Sequence, residues 1–343
     1  MKISICIPHY NRIEYLLKSL AFIEKQTYDN VEIVISDDNS SDDTEKEITE
    51  VKKTYKFPII YHRNTNNLGY DRNLRQSIEL ATGDYCFVLG NDDTFYAPDD
   101  LSYLVSFLKK NNFPDVGFCN YIEEGNNKLY ERAPFTSVFK GNQNIALKYY
   151  RSFSFVAGLI YKKAAFEEVN TGKFDGSIYV QIYLAIRIIL SGGTFFMIKR
   201  PLVLKDIIIK DRVVNSYRDR LIKKWKDFKV EDGGLPSVIN VVSTAFDDSG
   251  LSDKKIKNKI VKDIYTITYP YWILDYKYNG AFVHAVGLAK GLKPNRISVY
   301  ANLPFFQKIN IQLIYYFITF SAMLFPSKLF IQIKPTLYRW IKK

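Results

Sequence analysis

Residues 83–101 read GDYCFVLGNDDTFYAPDDL: an apolar run, Tyr85–Gly90, that breaks at once into Asn91-Asp92-Asp93. A short apolar run bounded by glycine and acids reads as a strand buried on both faces, with its polar residues at the carboxyl end. The pattern occurs twice upstream. Ile3–Pro8 runs into His9-Tyr10-Asn11-Arg12, and Val31–Ser36 runs into Asp37-Asp38-Asn39-Ser40. A further strand is expected at Phe57–His62. Helical spacing lies between the strands: Ile13, Leu16, Leu17, Leu20 and Ile23, then a charged helix capped by Ser40 or Ser41 and reaching Lys53. Another helix is expected from Asp71 to Thr82, stopped by Gly83. Strand and helix alternating over short connections predict an α/β fold, a mostly parallel sheet with helices on both faces. The three polar clusters then share one sheet edge, the edge where such sheets bind ligands.

The chain is 343 residues long, enough for one large domain or two, and its 47% apolar and 24% charged residues are ordinary globular proportions. Cys6, Cys86 and Cys119 are too scattered for a disulfide framework or zinc ribbon, and each lies in an apolar run, as buried free thiols do. The first eight residues lack the long apolar stretch of a secretory signal. The net charge of +12 is uneven. Residues 1–150 hold 17 Lys/Arg against 22 Asp/Glu, and residues 151–343 hold 31 against 14. After Asp275 there is no acid, while ten basic residues follow from Lys277 to Lys343. Such a one-signed field calls for solvent on every side or for an anionic partner, nucleic acid or acidic lipid.

Beyond residue 115 strands are expected at Val116–Ile122, Phe155–Tyr161 and Thr194–Ile198, with a buried helix at Tyr179–Leu190. From Ser216 to about Leu292 the pattern is helical and basic. Ile311–Phe325 (IQLIYYFITFSAMLF) is apolar, yet its fifteen residues fall short of the roughly 20 that span a bilayer. Apolar residues then alternate with Lys328, Lys334, Arg339, Lys342 and Lys343, which suits helices lying in a membrane interface. A helix packed on the core or on a second subunit is the alternative. The expected organisation is an α/β domain over 1–215, a helical region over 216–305 and an amphipathic basic, membrane-associating tail over 306–343.

Carboxylates gathered at strand ends repel one another unless a cation or a donor-bearing ligand neutralises them. Adjacent Asp92 and Asp93 suit a divalent ion that keeps waters and is completed by substrate phosphates. Pro8–Arg12 has neither the glycines nor the lysine of a nucleotidyltransferase phosphate loop. No strand is followed by G-x-G-x-x-G, which excludes the dinucleotide-binding dehydrogenases.

ISICIPHYNR, VEIVISDDNSSDDT, NNLGYDRN and GDYCFVLGNDD, in this order and spacing, resemble the inverting family-2 glycosyltransferases of GT-A (Rossmann-like) fold. The resemblance is strong over residues 1–120, loose to about 210 and absent beyond. The GYDRN variant is similar to the bacterial abequosyltransferase-like group, which builds O-antigen or capsular repeat units. The resemblance implies that Pro8, Tyr10 and Arg12 line the nucleotide pocket, with Tyr10 stacking on the base. It implies that Asp38 accepts a hydrogen bond from a uracil-type ring N–H and that Asp92 sits near the ribose. Asp93, the last acid of a DXD-like motif read here as Asn91-Asp92-Asp93, would ligate Mn²⁺ or Mg²⁺. Arg72 or Arg75 could reach the phosphates.

The family places its catalytic acid at the start of the helix after the mid-domain strand, where this chain has Gln181. Asp175, just upstream, is the nearest carboxylate and the candidate base. Gly158, in FVAGLIY, matches a position where the family's backbone approaches the acceptor, and equally reads as a packing glycine.

The resulting expectation is a metal-dependent transferase using a nucleotide-sugar donor, UDP-sugar favoured, and a glycan or undecaprenyl-diphosphate-linked acceptor. It would work peripherally on the cytoplasmic face of the cell membrane, against anionic lipid. A homo-oligomer is left open, and no RNA- or DNA-binding module is recognisable. The alternative is a non-catalytic glycan- or lipid-binding scaffold on a transferase fold.

Overall fold

The structure is a computed structural model that describes residues 1–209, 235–251 and 253–342. The first half alternates as its apolar runs dictate: β1 (Ile3–His9), α1 (Ile13–Ile23), β2 (Val31–Asp37), α2 (Thr44–Val51), β3 (Ile59–Arg63), α3 (Tyr70–Glu79) and β4 (Tyr85–Val88). There follow β5 (Thr94–Phe95), α4 (Asp100–Lys110), β6 (Val116–Glu123), β7 (Lys128–Tyr130), β8 (Ser137–Lys140), α5 (Gln143–Tyr149), β9 (Leu159–Lys162), α6 (Lys163–Val169), α7 (Val180–Leu190) and β10 (Thr194–Lys205). The described remainder is helical: α8 (Leu235–Asp247), α9 (Lys254–Asp263), α10 (Tyr269–Tyr278), α11 (Phe282–Gly291), α12 (Ser298–Ala301), α13 (Phe305–Leu324) and α14 (Ser327–Lys342).

The main sheet runs β3-β2-β1-β4-β9-β6-β10-β5. β3, β2, β1 and β4 are mutually parallel, as are β6 and β10, while β9 runs antiparallel between β4 and β6. Residues alternate between two cores. Ile3, Ile5 and Ile7 of β1 and Phe87 of β4 pack with α1, α2 and α4; Cys6, Cys86 and Val88 face α3 and α7. All three cysteines are free and fully buried. The second core does not end with the sheet. It continues without a break through Ile239, Ile260, Tyr269, Leu288, Tyr315 and Phe330 of the C-terminal helices.

Several boundaries differ from those expected. The strand expected at Phe57–His62 runs instead from Ile59 to Arg63, because Pro58 has no N–H to give to a ladder. The charged helix starts at Thr44, since Ser40 is engaged elsewhere: its N–H and hydroxyl both bond Asp37 Oδ1. The strand expected from Phe155 begins only at Leu159, where the carbonyls of Phe155 and Ala157 are no longer taken by the buried guanidinium of Arg132. Gly158 lies at φ +77°, and a Cβ there would meet Cys119 Sγ at 2.6 Å and Arg132 Nη2 at 3.0 Å, so close packing requires the glycine. The strand expected to stop at Ile198 continues to Lys205. The apolar run from Ile311 is the second part of a longer helix, α13. The expected boundary at 215/216, and the basic stretch from Ser216 to residue 234, lie outside the described residues.

Candidate active site

Parallel pairing sets the carboxyl ends of β1, β2 and β4 side by side, and the three polar clusters meet there as expected. Asn11 ties them together. Its N–H donates to Ser40 Oγ at 2.7 Å, its Oδ1 accepts from the Ser41 N–H at 2.9 Å, and its carbonyl accepts from Asn91 Nδ2 at 3.4 Å. Asn11, Arg12 and Asn39 all have left-handed φ, between 52° and 65°, so backbone strain is concentrated at this edge. Arg12 extends its guanidinium to Asp92 Oδ2 at 3.0 Å. Tyr10 stands half exposed on the same loop, and Pro8 is partly buried near the end of β1. His9 is fully buried, its Nε2 2.9 Å from Thr44 Oγ1. Desolvation lowers its pKa to about 4, so it is a neutral packing residue.

Asp93 lies deeper, 5% exposed. Its Oδ1 accepts the Asp206 N–H at 3.1 Å, and its Oδ2 sits against Gly90: a Cβ on that glycine would lie 2.6 Å from it and 3.1 Å from Asp92 Oδ1. Burial, then the neighbouring charges of Asp92 and Asp206, pushes the Asp93 carboxyl well above its ordinary range. Burial also raises Asp92, against the pull of Arg12. Lys205 is the nearby counter-cation. It pairs with Asp206 and approaches Glu123 at 3.7 Å. Asp206 and Lys205 belong to this cluster, and sequence reading missed both. Asp206 stands 113 residues from Asp93, just past a strand expected to stop at Ile198, and no local motif marks it.

Asp38 is 3% exposed and grips the loop before α3: Leu68 and Gly69 donate their N–H groups at 2.7 and 2.9 Å, and Asn64 Nδ2 at 3.1 Å. Three of the carboxylate's roughly four acceptor positions are thereby filled. Two residues past Gly69, Asp71 reaches the other way. It accepts the Ile178 and Val180 N–H groups at 2.6 and 3.1 Å, capping α7 from outside that helix, and burial raises its pKa to about 6. Arg75 holds the same segment, with Nε 2.9 Å from Asp175 Oδ1 and Nη2 2.6 Å from Oδ2. Thus α3 joins the Asp38 loop to the segment bearing Asp175. Arg72 is turned to Glu79 Oε2 at 2.6 Å rather than towards Asp92 and Asp93. Gln181 occupies the first turn of α7, 1% exposed, and its Oε1 has no hydrogen-bond partner among the described residues.

The residues around Asp93 fit a divalent cation, because a buried carboxylate is crowded there by the charges of Asp92 and Asp206 with Lys205 as the nearby counter-charge. Among the described residues no group of three or more His, Cys, Asp or Glu side chains encloses a metal by itself. An ion held here would have to take further ligands from water and substrate oxygens.

A mixed, mostly parallel sheet between helical layers, with an acidic pair beyond its central strand, is the GT-A fold of glycosyltransferases. The chain matches the S. aureus TarS 1–349 structure in complex with UDP at a TM-score of 0.60 and 13% identity, covering 94% of this chain and 91% of that one. Residues 4–169 form a glycosyl transferase family 2 domain, as the family model that matches this segment shows. The chain is 35% identical to the abequosyltransferase RfbV of Salmonella typhimurium over an alignment of 223 residues that covers 60% of this chain and 66% of that protein. It is 32% identical to the GalNAc(5)-diNAcBac-PP-undecaprenol beta-1,3-glucosyltransferase of Campylobacter jejuni over 126 residues, which are 36% of this chain and 40% of that protein. The matched stretches thus leave a third or more of each of these curated relatives uncovered.

Proposed function

We propose that the chain transfers a sugar from a nucleotide-activated donor, a UDP-sugar by preference, to a lipid-linked or polymeric glycan acceptor in bacterial surface-polysaccharide synthesis, inverting the anomeric centre. The observation that carries this reading is the convergence of Asp92, Asp93 and Asp206 on the edge that also presents Tyr10, Arg12 and Asp38. The name of the Salmonella relative supports sugar transfer, and that of the Campylobacter relative, which acts on an undecaprenol-linked glycan, supports the acceptor class.

In this reading Tyr10 stacks on the base, and Pro8 shapes the wall beside it. Asp38 keeps one acceptor position for a ring N–H while holding the loop before α3. Asp92, oriented by Arg12, receives the ribose. Asp93, with Asp206 beside it, holds Mn²⁺ or Mg²⁺. When bound, that cation offsets the charge that grows on the departing nucleoside diphosphate. Asp175, fixed by Arg75, takes the proton from the acceptor hydroxyl as the new glycosidic bond forms. Arg72 would have to leave Glu79 to reach a phosphate.

A second reading is a non-catalytic glycan- or lipid-binding scaffold. The neutral Gln181 on α7, where the family carries its acid, is the observation that favours it. Binding and hydrolysis measured over UDP-, GDP-, CDP- and dTDP-sugars, each with Mn²⁺, Mg²⁺ or EDTA, on wild type and Asp93→Asn, separate the two. Metal-dependent turnover of one donor, lost in Asp93→Asn, is the expected result. Donor binding without turnover under every metal favours the scaffold.

A further inference from the structure

The outer face of α13 carries Phe306, Leu313, Tyr316, Phe317, Phe320 and Leu324, each between 58% and 82% exposed. Their spacing of three, four and seven residues puts them on one side of the helix. The opposite side, with Ile311, Tyr315 and Ala322, is buried in the protein. Soluble monomers rarely leave a contiguous strip of large apolar side chains open, and such a strip marks an interaction surface.

The helix is also fastened at its far end. Lys277 Nζ on α10 donates to the carbonyls of Ala322, Met323 and Phe325 at 2.6–2.9 Å, satisfying acceptors at the end of α13. Lys334 on α14 pairs with Asp275 on α10 at 2.6 Å. Between these clamps the chain bends by 104°. Tyr269 and Thr319 share a hydrogen bond of 2.7 Å, and the Tyr315 hydroxyl donates to the Ala289 carbonyl at 2.8 Å.

We infer that α13 is an in-plane membrane anchor, its outer face sunk into the interfacial layer of an anionic bilayer. Twenty residues at about 1.5 Å each would match a hydrocarbon core of about 30 Å. A spanning helix needs lipid on every side, however, and this one is half covered by its own protein. No single described helix is long and apolar enough to cross a membrane; α13 reaches that threshold only together with the start of α14, across the 104° bend. Charge selects the partner. The exposed cations Lys293, Arg296 and Lys328 belong to the same helical region, and no acid follows Asp275 in the sequence. A second copy would bring like charges against this region, whereas anionic headgroups neutralise them. The inference deepens the proposed function and rests on it only for the lipid-linked acceptor; the docking surface stands on its own observations.

The test is co-sedimentation of the full chain with vesicles of phosphatidylglycerol and phosphatidylethanolamine, compared with phosphatidylcholine vesicles, at 0.1 and 0.5 M salt. The comparison variant carries Leu313→Ser, Phe317→Ser and Phe320→Ser, all on the exposed face. Wild type is expected to bind the anionic vesicles about tenfold or more tightly than the variant does, and to weaken at high salt and on phosphatidylcholine. Equal binding by the variant, or no binding by wild type, overturns the inference. So does a wild-type dimer in sedimentation velocity that the substitutions dissolve while vesicle binding is absent. Donor hydrolysis in the same samples reports the transferase reading separately: docking without turnover overturns that reading and leaves the surface standing.

Discussion

Arg75 grips both oxygens of Asp175, a two-point contact across a hundred residues of sequence that fixes a carboxylate on the segment leading into α7. If Asp175 takes the acceptor's proton, Asp175→Asn lowers kcat by about 10²–10⁴-fold while UDP affinity, measured by calorimetry, stays at its wild-type value. Arg75→Lys keeps the charge and loses the fork, so kcat should fall with donor affinity again unchanged. Wild-type turnover in Asp175→Asn would remove this residue from the reaction.

Gly90 leaves the space that the Asp93 carboxylate occupies. Gly90→Ala is expected to displace Asp93 Oδ2 and weaken Mn²⁺-dependent UDP binding by about tenfold or more, with circular dichroism unchanged. Full binding in a folded Gly90→Ala protein would show that the acidic pair tolerates rearrangement.

Asp71 has a folded-state pKa near 6, against about 3.9 in an unfolded chain. The folded state therefore binds this proton more tightly, and the stability it contributes is complete below the unfolded value and lost as pH rises through the folded one. The loss is on the order of 3 kcal/mol. Asp71→Ala strands the Ile178 and Val180 N–H groups, at a cost of about 1–3 kcal/mol. It should also remove this share of the pH dependence. Urea unfolding of both proteins at pH 4.5 and 7.5 measures it: the gap between them should narrow as pH rises.

Arg132 is 1% exposed and donates to the carbonyls of Cys119, Ser152, Phe155 and Ala157. It also lies over the rings of Phe118, Tyr121 and Phe155. Arg132→Met leaves those acceptors unsatisfied and should cost about 3–5 kcal/mol in urea unfolding. Arg132→Lys, which lacks the planar fork, should recover little of it. Rescue by lysine would mean that charge rather than geometry is what the site requires.

The parallel half of the sheet was legible because a strand buried on both faces has to be an apolar run, and such runs end where the chain meets water. Asp92 and Asp93 could be placed on the binding edge for the same reason. Asp206 could not, because its meaning lies in contact with Asp93 and a lone acid after a strand carries no local signature. Arg132 was invisible in a different way: a buried arginine satisfied by carbonyls alone looks, in sequence, like any surface cation. The expected cap at Ser40 or Ser41 failed because Asp37 takes the hydroxyl and N–H of Ser40, and Asn11 takes those of Ser41. The tail's apolar character was plain, but only the fold reveals which side of α13 remains open.

The core that runs unbroken from Cys6 and Val88 to Tyr315 and Phe330 has a mechanical consequence. If α13 lies on lipid and the sheet edge holds a nucleotide, the core they share holds the two at a constant separation. On the proposed reading, the stand-off between bilayer and cleft would be a fixed dimension of the molecule, gauging how far above the lipid an acceptor's terminal sugar must sit.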